Sequence, residues 1–166
     1  MLSDVKVRLQ QIGRLDVLAN LGGEIRDYYT TLESIPGGMP DADGDRMAKA
    51  VDIVGLAERD SGQLDRALAT WTDARAKLAQ SIAGESSDST LFRRTMLARF
   101  DFEIGTIHQA RGKVPSAIAS FTAAKKQFDT LREQAPRDRQ ILLGAADTHD
   151  KLGDLLAEGL GDVVPG

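Results

Sequence analysis

The chain has 166 residues, of which 42% are hydrophobic and 28% charged, as expected for a folded domain rather than a disordered segment. Its net charge of −4 provides no attraction toward nucleic acid or an anionic membrane, and no apolar run approaches the roughly 18 residues of a membrane span. The absence of cysteine excludes disulfides, thiolate zinc sites and cysteine nucleophiles, and it fits a cytoplasmic protein. The start, MLSDVKVRLQQ, lacks the apolar core of a secretory signal.

The first 33 residues predict two helices, over about 3–12 and 15–33, because apolar residues recur there at steps of three and four. We interpret residues 1–33 as an N-terminal helical hairpin that caps the fold or is a degenerate repeat. The following segment, 34–45, contains two prolines and three glycines in the sequence SIPGGMPDADGD. This composition predicts a loop.

Two further helical hairpins are predicted downstream. The first spans 46–82, with helices over about 45–60 and 64–82 that are separated by the sequence SGQ. The second spans 89–135. Its first helix begins at Ser89 or Thr90.

Prolines delimit the second helix of that hairpin. Pro115 suits the first turn, where a missing N–H leaves no hydrogen bond unmade, and Pro136 stops the helix. A further helix over about 138–158 begins a third repeat, 137–166, which we expect to be truncated. We therefore expect the chain to be a fragment of a longer protein.

Residues 104–124, IGTIHQARGKVPSAIASFTAA, align with residues 54–74, VGLAERDSGQLDRALATWTDA. The matched pairs are Gly55 and Gly105, Gly62 and Gly112, Ala67 and Ala117, Trp71 and Phe121, and Ala74 and Ala124. Gly55 and Gly105, with Ala67 and Ala117, are expected to let paired helices approach closely, and Trp71 and Phe121 to fill the gap between successive hairpins. Gly62 and Gly112 are predicted to adopt the positive φ that other residues avoid.

This spacing resembles the tetratricopeptide repeat, whose pattern is a large residue, Leu-Gly, an aromatic, Gly, Ala, an aromatic and Ala. The copies begin at Ala48 and Ala98, and a partial copy from Ala146 matches at Leu152 and Gly153. The match covers 48–158. It implies an all-α fold of antiparallel helical hairpins stacked as a right-handed solenoid, with about six or seven helices.

The copies are longer than usual, at spacings of 50 and then 48 residues against about 34 in the family. Glu58 and His108 also replace the aromatic near the end of the first helix. This longer form, preceded by QQIGRLDVLANLGGEIRDYY, is similar to repeat regions of large bacterial multidomain signalling proteins. In those proteins the repeats accompany an effector such as a kinase, a TIR domain, a cyclase or a DNA-binding regulator. The resemblance implies that any catalytic domain lies outside this chain.

The residues themselves predict no enzyme, cofactor or metal site. His108 and His149, the only two histidines, fall on packing positions of the repeat, and neither has the i, i+4 partner of a helical metal site. No serine lies in a nucleophile motif, and no glycine pair forms a phosphate loop. An enzyme would require a polar cluster that this spacing does not supply.

The resemblance implies a partner-binding groove along the first helix of each repeat, at repeat positions 2, 5, 9 and 12. Those residues are Lys49, Asp52, Leu56, Arg59, Arg99, Phe102, Thr106, Gln109, Asp147, Asp150 and Asp154. Leu56 and Phe102 would form an apolar floor, and the three C-terminal aspartates an acidic wall. We therefore expect a protein or peptide partner of basic or mixed charge. The alternative is that the aspartates only solubilise an exposed helix.

Recognition of an acidic chain terminus is disfavoured, because the family's carboxylate clamp requires Lys and Asn where this chain has Asp52 and Leu56. A structural spacer or self-association module is the alternative function. The unfinished third hairpin would leave Leu152, Leu155 and Leu156 without a covering helix, which would favour a homodimer of the fragment.

Overall fold

The computed structural model describes residues 41–82 and 91–161, and the predicted hairpin over 1–33 lies outside the described residues. All regular structure in the described ranges is α-helical, which confirms the predicted all-α class. The five helices are α1 (Asp41–Asp60), α2 (Leu64–Ile82), α3 (Leu91–Ala110), α4 (Val114–Gln134) and α5 (Arg139–Gly161). The chain forms two compact units, Met1–Leu78 and Ala79–Gly166, which are described separately below.

Helix α1 begins at Asp41, four residues before the start that the sequence predicted at residue 45. The segment DADGD therefore belongs to the helix rather than to the loop assigned to 34–45. An aspartate-rich sequence suits both structures, because acidic residues are common in loops and also favour the positive end of the helix dipole. Composition alone did not distinguish them.

The turns that close the two hairpins have the same hydrogen bonds. Gly62 and Gly112 have φ angles of 76° and 67°, as predicted. In the first turn the N–H of Gly62 donates to the carbonyl of Arg59, and that of Gln63 to the carbonyl of Glu58. In the second turn the N–H of Gly112 donates to the carbonyl of Gln109, and that of Lys113 to the carbonyl of His108. This Schellman arrangement satisfies the last carbonyls of each first helix.

Local signals also set the ends of the later helices. Pro115 lies in the first turn of α4, as predicted, and Pro136 follows the helix end. The carboxylate of Asp138 accepts the backbone N–H of Gln140 at 2.8 Å and that of Ile141 at 3.2 Å. Asp138 is therefore the N-cap that starts α5.

In the first unit, α1 and α2 approach closely where the indole of Trp71 lies against Gly55. A Cβ atom on Gly55 would be only 2.5 Å from Trp71 Cε2. Trp71 and Ala67 are both fully buried. The predicted close approach of paired helices at Gly55 and Ala67 is therefore confirmed.

The second unit repeats this contact and extends it to α5. A Cβ atom on Gly105 would be 2.8 Å from the ring of Phe121, which is fully buried. Phe121 also packs in one cluster with Leu152 and Leu155 of α5. Phe121 therefore fills the gap between its own hairpin and the next helix, as predicted.

A second cluster lies toward the other end of the same three helices. Its buried members are Ala98, Ala124, Phe128, Leu131, Ile141 and Ala145. The ring of Phe128 lies directly against Gly144 of α5, where a Cβ atom would clash. A glycine and an aromatic ring therefore also set the approach of α5 to α4.

The C-terminal helix corrects one prediction. Leu152 and Leu155 are buried against α4, whereas Leu156 is 53% exposed. Two of the three leucines expected to lack a cover therefore belong to the core. The reason is that α4 packs on α3 and α5 together, which the single-hairpin pattern did not show.

The glycine contact gives a direct test of stability. Gly105→Ala should lower the free energy of unfolding by about 1–3 kcal/mol, because the new methyl group would overlap the ring of Phe121. Gly153→Ala on α5 is the matched control, because nothing in the described residues lies within 4 Å of its new methyl group. That change should stabilise the helix by up to about 1 kcal/mol.

Urea unfolding followed by circular dichroism measures both variants. Equal stabilities for the two alanine variants would contradict the packing of Phe121 on Gly105.

Candidate functional site

The predicted groove residues are divided between the two units. The first unit holds Lys49, Asp52, Leu56 and Arg59, all on α1. The second unit holds Arg99, Phe102, Thr106 and Gln109 on α3, and Asp147, Asp150 and Asp154 on α5. The second set therefore brings residues of two different helices into one compact unit.

On α1, Asp52 and Arg59 form polar contacts within the first unit. Asp52 is buried, and its Oδ1 accepts a hydrogen bond of 3.4 Å from Trp71 Nε1. Arg59 pairs with its neighbour Asp60 at 2.9 Å. Lys49 is exposed and Leu56 is half-buried. The position of Asp52 thus stabilises the indole rather than presenting a carboxylate to solvent.

On α3, Phe102 is the central residue of the predicted set. Its ring packs against both clusters of the second unit, and its centroid is 5.4 Å from that of Phe121 at an angle of 56°. The side chain is nevertheless only partly buried. The exposed part of a ring that is fixed by its neighbours is suited to hold an apolar side chain of a partner.

Polar residues border Phe102 along α3. Arg99 Nη2 lies 3.7 Å from the carboxylate of Glu103, which is itself buried. The hydroxyl of Thr106 donates to the backbone carbonyl of Phe102 at 3.1 Å. Gln109 is half-buried. This row therefore has one apolar position and several groups that can form hydrogen bonds.

On α5, Asp147, Asp150 and Asp154 form what we call the acidic row. All three are exposed, and none forms an ion pair with a described residue. Their spacing of three and four residues places them on one face over about 10 Å of helix. Three carboxylates in a line, unpaired within the described part of the chain, favour a cationic ligand.

A second charged cluster, which the sequence analysis did not find, joins α4 to α5. Lys125 Nζ lies 2.6 Å from Oδ2 of Asp129, and Arg132 and His149 each place a nitrogen 3.7 Å from Oδ1. The Lys125 hydrogen bond lowers the pKa of Asp129, and its charge, with those of His149 and Arg132, acts in the same direction against the opposing effect of burial. The i, i+4 spacing of Lys125 and Asp129 could have indicated this pair.

His149 corrects a second prediction. The sequence placed it at a packing position, but its side chain is exposed and approaches Asp129 from the surface of α5. A packing role for His149 would require another helix against its face of α5, and none of the described helices covers that face.

His108 lies at the end of α3 and is half-buried. Its Nδ1 is buried and has no hydrogen-bond partner among the described residues. Burial lowers the pKa of His108, and the positive charges of Lys113 and Arg111 lower it further. The neutral imidazole is therefore the form that the folded protein favours.

Buried polar links between paired helices were also missed. Thr70 of α2 donates to Glu58 of α1 at 2.7 Å, and Gln127 of α4 donates to Asp101 of α3 at 2.6 Å. Both carboxylates are buried. The links occupy different repeat positions in the two hairpins, so the repeat pattern gave no signal for them.

The described residues contain no group of three or more His, Cys, Asp or Glu side chains that could hold a metal ion. Within the same ranges no helix is sufficiently long and apolar to span a membrane. Comparisons of the chain with protein-family models, with curated proteins and with solved structures gave no match. The candidate site thus consists of the α3 row, which holds the partly buried ring of Phe102, and the α5 row of three exposed carboxylates, both in the second unit.

The environment of His108 predicts a pH dependence of stability. Its pKa is lower in the folded state than its ordinary value of about 6.5, so below that pH the unfolded chain binds the proton first. The contribution of neutral His108 to the free energy of unfolding is therefore fully present above pH 6.5 and is lost as the pH falls below that value. The slope cannot exceed about 1.4 kcal/mol per pH unit for one proton.

His108→Gln should reduce the loss of unfolding free energy between pH 7.5 and pH 5, measured by urea unfolding. His149→Gln is the matched control, because the chain has only these two histidines. If His108→Gln keeps the slope of the unchanged protein, the assignment to His108 is wrong.

Proposed function

We propose that this chain is a non-catalytic protein–protein interaction scaffold that binds a peptide or protein partner along the α3 and α5 rows. The observation that carries the proposal is the position of Phe102, half-exposed and fixed by two clusters, in the same unit as the unneutralised acidic row. An apolar anchor and a line of like charges in one unit are suited to recognition, since together they combine a buried contact with charge selection.

The repeated architecture supports a scaffold of the tetratricopeptide type. Both hairpins have the same turn, with a glycine at positive φ, and the same contact between a helical glycine and an aromatic ring. Repeats of helical hairpins build extended binding surfaces, because each unit presents equivalent positions along one side. By the same resemblance, the parent protein would be a multidomain bacterial signalling protein, and the partner could be a domain of that protein.

The expected ligand is basic or of mixed charge and carries one large apolar side chain. The apolar side chain would rest on Phe102, and lysine or arginine residues would pair with Asp147, Asp150 and Asp154. An extended peptide spans about 3.3 Å per residue, so three or four ligand residues would cover the acidic row.

A structural or self-association role is the second candidate. Leu142, Leu143 and Leu156 on α5 are exposed, which favours contact with another apolar surface. Sedimentation at increasing protein concentration separates the two roles. A strict monomer excludes self-association of this chain.

The scaffold proposal is tested with a displayed peptide library selected on the intact chain. The selected peptides should contain basic residues and a large apolar residue. Asp150→Lys should then weaken binding of a selected peptide about 10-fold at low salt, because it replaces an attraction by a repulsion in the middle of the acidic row.

Glu133→Lys is the matched control, because it makes the same charge change at an exposed position of α4. It should leave the affinity unchanged. Selection of acidic peptides, or an equal affinity for the Asp150→Lys variant, would contradict the proposed site.

A further inference from the structure

The outer surface of α5 has an apolar face next to the acidic row. Leu142, Ala146, Gly153 and Leu156 are exposed and lie on one side of the helix, at spacings of four, seven and three residues, and the exposed His149 lies among them one turn before Gly153. We call these four residues the outer face. The two leucines are 41% and 53% exposed, so the outer face presents substantial apolar area.

Gly153 is the unusual residue of this face. Three other helical glycines, Gly55, Gly105 and Gly144, each receive an aromatic ring where a Cβ atom would clash. Nothing in the described residues lies within 4 Å of a Cβ atom built on Gly153. A glycine costs a helix interior about 1 kcal/mol relative to alanine, and here no described contact offsets that cost.

The register of Gly153 indicates which group it accepts. Gly55 and Gly105 each receive the aromatic side chain of the helix that follows them, Trp71 and Phe121. Gly153 occupies the equivalent position of the third copy, 48 residues after Gly105. The open position at Gly153 therefore has the shape that accepts an aromatic ring from a helix packed across α5.

The acidic row determines which charges a helix packed on the outer face can carry along its edge. The acidic row runs along one side of the outer face, so a helix on this face would have its flank beside three carboxylates. Lysine or arginine on that flank would be attracted, and aspartate or glutamate would be repelled.

The same charge argues against a second copy of this chain packed antiparallel on the outer face. Two α5 helices packed antiparallel about a two-fold axis would place the acidic row of one beside the acidic row of the other. Six carboxylates along one seam would oppose that contact.

We propose that the outer face of α5 is a second docking surface, which binds an amphipathic helix of a partner with an aromatic residue at Gly153 and a basic flank along the acidic row. This surface shares the acidic row with the proposed function, and it differs from it in using the outer face with Gly153 in place of Phe102 and the α3 row. The aromatic ring supplies most of the specificity, because it would lie directly on the backbone of Gly153, and only a glycine permits that contact.

The test uses a 21-residue peptide with the sequence of α4, the helix that places Phe121 on Gly105. Its only two acidic residues are replaced by lysine, at the positions of Asp129 and Glu133. Fluorescence anisotropy with the intact chain at low salt should give a dissociation constant below about 100 µM. Binding should weaken as salt is raised.

Three changes should each weaken binding about 10-fold, because each removes either the buried aromatic contact or the charge attraction. They are Gly153→Leu in the protein, Phe121→Ala in the peptide, and Asp150→Lys with Asp154→Lys in the protein. Combining Gly153→Leu with Phe121→Ala should cause little further loss, because both remove the same contact. Ala119→Leu in the peptide, at a position that is exposed in α4, is the control and should leave the dissociation constant unchanged.

Leucine is a better helix former than glycine, so circular dichroism should show that Gly153→Leu folds. Binding that Gly153→Leu does not weaken would place the peptide elsewhere, for example in exchange for α4 at Gly105, and would overturn the proposal. A dimer that Gly153→Leu dissociates would also overturn it, in favour of a second copy. Ligands of the α3 and α5 rows should be insensitive to Gly153→Leu, so the two proposals fail separately.

Discussion

The fold depends on the contact between a helical glycine and an aromatic ring. Trp71 on Gly55 and Phe121 on Gly105 are fully buried, and each ring lies where a Cβ atom cannot. The contact therefore fixes the distance between the two helices of a hairpin. Phe121 also packs on Leu152 and Leu155, so in the second unit the same ring positions the next helix. A single side chain thus joins three helices, which is why aromatics can be few in this alanine-rich core.

Buried carboxylates add directionality to this apolar packing. Glu58 and Asp101 each accept a short hydrogen bond from the opposite helix of their hairpin, from Thr70 and from Gln127. A buried carboxylate without a partner costs several kcal/mol, so a shifted register would be strongly unfavourable. The aromatic contact sets the distance between helices, and these bonds restrict how one helix can slide along the other.

Helix α5 differs from the helices before it because its two outer sides have different chemistry. Its inner side is buried on α4, one outer side carries the acidic row, and the other carries Leu142, Gly153 and Leu156. The carboxylates favour basic ligands, and they oppose antiparallel packing of two copies on the outer face. The two proposed surfaces therefore select related chemistry by different means, a fixed phenyl ring at Phe102 and an open glycine at Gly153.

The sequence by itself determined the local features of this protein. Apolar periodicity located the helices, and Gly62 and Gly112 located the turns, since positive φ is a property of one residue. The repeat register aligned Gly55 with Gly105 and Trp71 with Phe121, but only the structure showed that each ring lies against its glycine. Only the tertiary structure decided which side of each helix is buried and which residues it contacts. Leu155 is buried and Leu156 exposed although both are leucine, His149 lies at the surface, and Asp52 bonds an indole. These outcomes depend on which helices pack together, and the period of a single helix does not contain that information.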